Sequence, residues 1–127
     1  MAKVTGIGGV FFKAADIETT KAWYRDNLGV ELGDYGKTFA YSEGGDDAFA
    51  VFSAFKSTTD YLDPSPHPVM INLRVDDLDA MQSSLAAKGI EVLGRQDDED
   101  FGKFAWILDP NGIKLELWQQ TGPAPPA

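Results

Sequence analysis

The feature that most constrains this chain is a layout that occurs twice. Val10 to Leu32 reads VFFKAADIETTKAWYRDNLGVEL, and Met70 to Leu93 reads MINLRVDDLDAMQSSLAAKGIEVL. Each stretch begins with strand-like residues, reaches an aspartate, enters helical periodicity and leaves it at a glycine followed by a short β-branched run. Asp16 and Asp77 are the expected N-caps, because a carboxylate there accepts from the free amides of a first helical turn. Ile17, Thr20, Tyr24 and Leu28 then share one face of the first helix, and Leu78, Met81 and Leu85 one face of the second. Gly29 and Gly89 can take the left-handed conformation that ends a helix. The two caps lie 61 residues apart and the two glycines 60 apart. Agreement within one residue points to a duplicated unit.

Each unit continues into a hairpin candidate. The first, KTFAYSEGGDDAFAVFSAF, turns around Gly44 to Asp47, and the second, GKFAWILDPNGIKLELW, turns at Asp109 to Gly112. In the second turn Pro110 presets one central dihedral and Gly112 relieves the exit. Between the units, STTDYLDPSPHP carries Pro64, Pro66 and Pro68, which block both helix and central strand. The expectation is an α+β fold: two tandem βαβββ modules forming a cupped mixed sheet with helices on its outer face. It is one domain over 1–127, with module one at 6–56, a linker at 57–68, module two at 69–119 and a disordered tail at 120–127. The tail, TGPAPPA, is too rich in proline to pack.

The 127 residues carry 20 acidic and 11 basic side chains, a formal charge of −9. That sign disfavours phosphate-rich partners, so neither nucleic acid nor an anionic membrane surface is expected. With no cysteine, disulfides, thiolate zinc sites and cysteine nucleophiles are excluded. The start, MAKVTGIGGVFFK, has no long apolar run with a cleavage pattern, and the cytoplasm is the expected compartment.

WYRDNLG, RVDDLDA and above all DPNGIKLEL carry a resemblance that spans about Gly6 to Gln119. The chain resembles the vicinal oxygen chelate superfamily, which includes glyoxalase I, extradiol dioxygenases and bleomycin-resistance proteins. The fold hosts lyases, isomerases, oxygenases and non-catalytic binders, so the resemblance implies an architecture and leaves the activity open. Catalytic members hold a divalent metal with His, Gln or Glu from the first and last strands of each module. The matching positions here are Gly9, Met70, Ala50 and Glu116. Glycine and alanine offer no donor and a thioether suits hard ions poorly, so three of the four positions cannot chelate. No metal ligand set is therefore expected, with a divalent metal as the weaker alternative.

Strand alternation then assigns faces. If Gly9, Met70 and Glu116 face the cup, so do Phe11, Lys13, Asn72, Arg74, Lys114 and Trp118, with Phe52 opposite. Val10, Phe12, Ile71, Leu73, Val75, Leu115 and Leu117 face the helices as core. Two readings of Glu116 stand open: a ligand-contacting or proton-transferring carboxylate near Lys13, Arg74 or Asn72, or a structural pair with Arg74 or Lys114. Phe11, Phe52, Trp106 and Trp118 could stack on an aromatic ligand, although Trp106 reads better as packing. His67, in the proline-rich linker, reads as a flexible surface residue. Asp97 to Asp100 reads as a solvated loop, since it lacks the spacing of a calcium site. Trp23 and Tyr24 read as core and interface contacts.

The first functional expectation is a metal-free homodimer that sequesters or carries a small aromatic or amphipathic molecule. Its ligand contacts are Phe11, Lys13, Phe52, Met70, Asn72, Arg74 and Trp118, and Glu116 is its candidate catalytic residue. The resemblance to bleomycin-resistance proteins implies an acidic dimer trapping a cation, but Lys13 and Arg74 suit an anionic or polar ligand better. The alternative is a metal-dependent lyase, isomerase or dioxygenase with a divergent site, and a third reading is a regulatory subunit without a small ligand.

Overall fold

The computed structural model describes residues 2–125. The second half of the chain folds as the expected βαβββ unit: β1 (Met70–Arg74), α2 (Leu78–Ala87), β2 (Gly94–Asp98), β3 (Gly102–Leu108) and β4 (Lys114–Gln119). Its strands form one mixed sheet in the order β1-β4-β3-β2, with β1 parallel to β4 and the other pairs antiparallel. From the first half comes α1 (Ile17–Leu28).

Both helices start and stop where the repeat places them. The Asp16 carboxylate accepts from the Thr19 amide and the Asp77 carboxylate from the Ala80 amide. Gly29 at φ 68° and Gly89 at φ 76° turn the chain out of the helices. In both cases the next residue's amide reaches back into the last turn, Val30 to the Tyr24 carbonyl and Ile90 to the Leu85 carbonyl.

The strands expected in the first half do not form in the single chain. Apart from α1, residues 2–56 hold only a 3-10 turn at Tyr41–Gly44 and one isolated bridge between Gly33 and Gly36. A strand is stable only beside another, and no strand of the second half lies alongside these segments to satisfy their amides and carbonyls. Their apolar side chains consequently face water: Val10 is 59% exposed, Phe11 93% and Phe52 93%. Val10 is therefore not core, and Phe12 reaches it only by leaning on Tyr24, with ring centroids 6.0 Å apart.

The core lies between the sheet and the helices. Ala105, Ile107, Leu115 and Leu117 point from the central strands toward Leu78 and Leu85 of α2 and Tyr24 of α1, all of them buried. Ile71, Leu73 and Val75 pack at its margin as alternation predicts. Each fully buried aliphatic side chain contributes about 1.5–3 kcal/mol, so this layer is the main stabilising element of the unit.

The β3–β4 turn is the fastener between the halves. Asp109 is buried, and its carboxylate accepts from the Asn111 and Ile113 amides and from the Tyr24 hydroxyl at 2.8 Å. Burial first, then that hydrogen bond, holds the Tyr24 phenol well above the ordinary tyrosine range. Asn111 extends the tie by donating to the Thr20 hydroxyl and accepting from the Ala15 amide. The linker is docked on the other side of the same turn. Ser65 donates to the Gly112 carbonyl, and His67 Nε2 donates to the Asn111 carbonyl at 2.8 Å. His67 is thus exposed but held in place, because a carbonyl can only accept and the ring nitrogen must carry the proton. At the far end, residues 120–125 form no helix or strand, yet Gln120 donates to the Asp47 and Gly122 carbonyls. Of the expected disordered tail, 126–127 lie outside the described residues.

Candidate functional site

The strand register sorts the sheet face opposite the helices into three rows. Phe104, Trp118 and Arg74 stand abreast across β3, β4 and β1, as do Trp106, Glu116 and Asn72, and then Leu108, Lys114 and Met70. Six of the nine are residues that alternation placed in the cup: Met70, Asn72, Arg74, Lys114, Glu116 and Trp118.

Row two answers what Glu116 is for in the folded chain. It is 8% exposed, and its carboxylate accepts three hydrogen bonds from neutral donors. Tyr61 Oη donates to Oε2 at 2.6 Å, Trp106 Nε1 to Oε2 at 2.8 Å and Asn72 Nδ2 to Oε1 at 2.7 Å. Of the partners expected from sequence, Asn72 is present. Lys13 is not, and neither Arg74 nor Lys114 forms an ion pair with it; the described ion pairs all involve Arg25, Arg95 or Lys103. Tyr61 comes from the linker, and burial together with its bond to Glu116 raises its phenol well above the usual tyrosine range.

Lys114 is also buried, at 9% exposed. Its ammonium donates to the Tyr61 carbonyl and lies 5.3 Å from the Tyr61 ring centroid and 5.7 Å from that of Trp106. These ring faces partly replace the water it lost.

Row one is aromatic with a cation at its end. Phe104 lies nearly parallel to Trp118 (7°, 6.2 Å between centroids) and to Trp106 (12°, 6.5 Å). The Arg74 guanidinium sits 5.6 Å from the Trp118 ring centroid. Trp118 Nε1 donates to the Phe101 carbonyl, which anchors the indole. Phe49, from the unpaired first half, stands edge-on over Trp118 at 5.2 Å.

Phe11, Lys13 and Phe52 are not brought to this face. All three are exposed, and they stand on segments with no strand partner. Sequence reasoning in turn missed Tyr61, Phe104 and the role of Trp106, which is a hydrogen-bond donor to Glu116 and part of the aromatic row. A signal for the last two was present: a hairpin turning at Asp109–Gly112 pairs Trp106 with Glu116 and Phe104 with Trp118. Nothing local marked Tyr61. The acidic stretch Asp97–Asp100 serves the β2–β3 turn, where Asp98 accepts from the Asp100 and Phe101 amides and Asp97 pairs with Arg95.

The donor chemistry of the face does not suit a divalent metal. Both Glu116 oxygens are already engaged by N–H and O–H groups, while Gly9, Ala50 and Met70 supply no hard ligand. Among the described residues no group of three or more His, Cys, Asp or Glu side chains could hold a metal ion. Among them, too, no helix is long and apolar enough to cross a membrane.

With this geometry in hand, likeness to known proteins becomes informative. A family model described as Glyoxalase/Bleomycin resistance protein/Dioxygenase superfamily matches residues 6–117. No curated protein matches the chain. Among solved structures, TnmS3, an antibiotic-binding protein from Streptomyces sp. CB03234, is 24% identical; the match covers 95% of this chain and 100% of that one, with a TM-score of 0.60. A glyoxylase/bleomycin resistance protein/dioxygenase domain from Frankia sp. EAN1pec is 16% identical over 94% of this chain and 100% of its own, with a TM-score of 0.56. A mobile-metagenome protein of V. Pseudocholerae is 16% identical over 96% and 99%, with a TM-score of 0.62. At these identities the likenesses establish the fold, and the family match agrees with it. The chain belongs to the Glyoxalase/Bleomycin resistance protein/Dioxygenase superfamily.

Proposed function

We propose that this protein is a metal-free, dimeric, cytoplasmic binding protein for a small aromatic molecule. The observation that carries the reading is the face itself: Phe104, Trp106 and Trp118 are nearly parallel rings beside a carboxylate that already accepts three hydrogen bonds. Parallel rings offer π-faces and apolar area to a planar ligand, and Trp118, 6% exposed beneath Phe49, is reached when Phe49 moves aside. A carboxylate with both oxygens engaged by N–H and O–H donors is a poor metal ligand and a poor general base, and Glu116 is better suited to fixing Trp106 and Tyr61 as walls of the site. The antibiotic-binding description of the Streptomyces neighbour is consistent with a ligand of this kind.

The dimer is supported by what the single chain leaves uncovered. Phe11, Phe52, Val10 and Val51 lie on extended segments and are 59–93% exposed, a cost a second copy would remove by pairing with them. In that arrangement Phe11, Lys13 and Phe52 would enter the site as ligand contacts from the partner.

Three measurements test the reading. Titration of the purified protein with planar aromatic compounds, followed by tryptophan quenching, should show saturable binding that Trp106→Ala weakens at least tenfold. Elemental analysis of untagged protein should find no stoichiometric Zn, Ni, Mn or Fe. Stoichiometric metal lost in Glu116→Ala would instead support a lyase, isomerase or dioxygenase. Light scattering should give twice the monomer mass of 13.8 kDa.

A further inference from the structure

We infer that the ligand is a planar aromatic acid, lying along the row Phe104–Trp118–Arg74 with its carboxylate on the Arg74 guanidinium. The inference rests on the binding reading above and names the chemistry of its ligand. Three observations carry it. First, the row is built in the right order: two nearly parallel rings on β3 and β4, then a guanidinium on β1 in the same register. Second, the positive charge of the face is not used up. Arg74 is exposed and forms no ion pair among the described residues, and a Cβ on Gly44 would come within 2.6 Å of its Nη1, so the turn above keeps it over Trp118. Lys114, one row further in, is buried with one protein acceptor among the described residues, the Tyr61 carbonyl. Third, the one carboxylate of the face, Glu116, is bound by neutral donors and leaves both cations without an ion pair among the described residues.

The register also sets the size. From β3 across β4 to β1 is two strand spacings, about 9.5 Å. That is the length of about three fused rings ending in a carboxylate. Arginine is the suitable terminus, because its planar fork binds a carboxylate through two parallel hydrogen bonds. The ligand takes the place of Phe49, which covers Trp118 from a segment without backbone pairing.

The selectivity runs against the protein's overall charge. At −9, long-range attraction alone would favour a cation, so a preference for the anion must come from the face. The test uses three planar tricyclic probes: anthraquinone-2-carboxylate, its neutral carboxamide, and cationic 9-aminoacridine. Affinities are measured by calorimetry at one ionic strength. The carboxylate should bind at least tenfold more tightly than either other probe. Arg74→Gln should remove that advantage, bringing carboxylate and carboxamide affinities within twofold of each other, and Arg74→Lys should restore only part of it. If 9-aminoacridine binds as tightly as the carboxylate, or if Arg74→Gln leaves the carboxylate unaffected, the anion assignment is wrong and the binding reading survives. If none of the three binds, both are overturned.

Discussion

Replacing Glu116 separates a carboxylate that holds the site together from one stranded there at a cost. In Glu116→Ala the three donors lose their acceptor. Tyr61 and Asn72 are exposed enough to turn to water, whereas the Trp106 indole N–H stays partly buried without a partner. Net hydrogen bonds to a charged group are worth about 1.5–3 kcal/mol each, and an unsatisfied buried donor costs about 1–3 kcal/mol. Recovered solvation of the buried carboxylate offsets part of this. The balance is a loss of about 2–4 kcal/mol, which at about 4 °C per kcal/mol for a chain of this size lowers Tm by about 8–16 °C.

Glu116→Gln should cost less, about 1–2 kcal/mol, because three charge-assisted bonds become neutral ones. The glutamine oxygen can accept from Tyr61 and Trp106, and the Asn72 amide can rotate to accept from the glutamine nitrogen. Urea unfolding followed by tryptophan fluorescence, at one protein concentration for all variants, gives both values and their order. An alanine variant as stable as the parent, or more stable, would refute the argument. It would mean that burying the charge outweighs everything its donors return.

Other consequences can be checked on the same footing. Tyr24→Phe removes one of three donors to buried Asp109 and should cost about 1.5–3 kcal/mol in urea unfolding. Gly102→Ala should be among the most destabilising single changes, by about 3 kcal/mol or more, because φ is 122° and a Cβ would sit 2.2 Å from the Gln119 carbonyl. Tyr24 and Tyr61 both have folded-state values raised above their ordinary 10.0. Their stabilising contribution is complete below pH 10 and declines as pH rises beyond it, so Tm should fall in alkali. Tyr24→Phe/Tyr61→Phe should flatten that fall, as a Tm series from pH 8 to 11.5 would show.

Which parts of this molecule could be read from sequence follows from the range of the forces involved. Helix ends are local events, so Asp16, Gly29, Asp77 and Gly89 were each legible from their neighbours. The faces of β1 and β4 were legible because alternation has a period of two, and one landmark, Glu116, fixes every side chain on its strand. The strands expected in module one were not secured by the same signal. Alternation says which face a strand would show and nothing about whether a neighbour is present to pair with it. The same limit hid Tyr61, whose role depends on how a proline-rich segment folds back over β4, a contact across 55 residues of chain.

The asymmetry between the two halves bears on how the site is used. The second half has its own core and three rows of chemically distinct residues, and it is held to the first by Asp109, Tyr24 and Asn111. The first half contributes α1 to that core but leaves apolar side chains such as Val10, Phe11 and Phe52 exposed. Exposed rings such as Phe11 and Phe52 gain from any surface that covers them, whether a ligand or a second copy. Coverage by both at once would couple them: a ligand bound along Phe104, Trp118 and Arg74 would be enclosed by segments that a partner has already ordered. Dimerisation and ligand affinity should therefore rise and fall together. A Phe52→Ser variant that weakens the dimer in sedimentation should lose ligand affinity in parallel, by linkage of the two equilibria. If affinity is unchanged while the dimer dissociates, the site belongs to the second half alone.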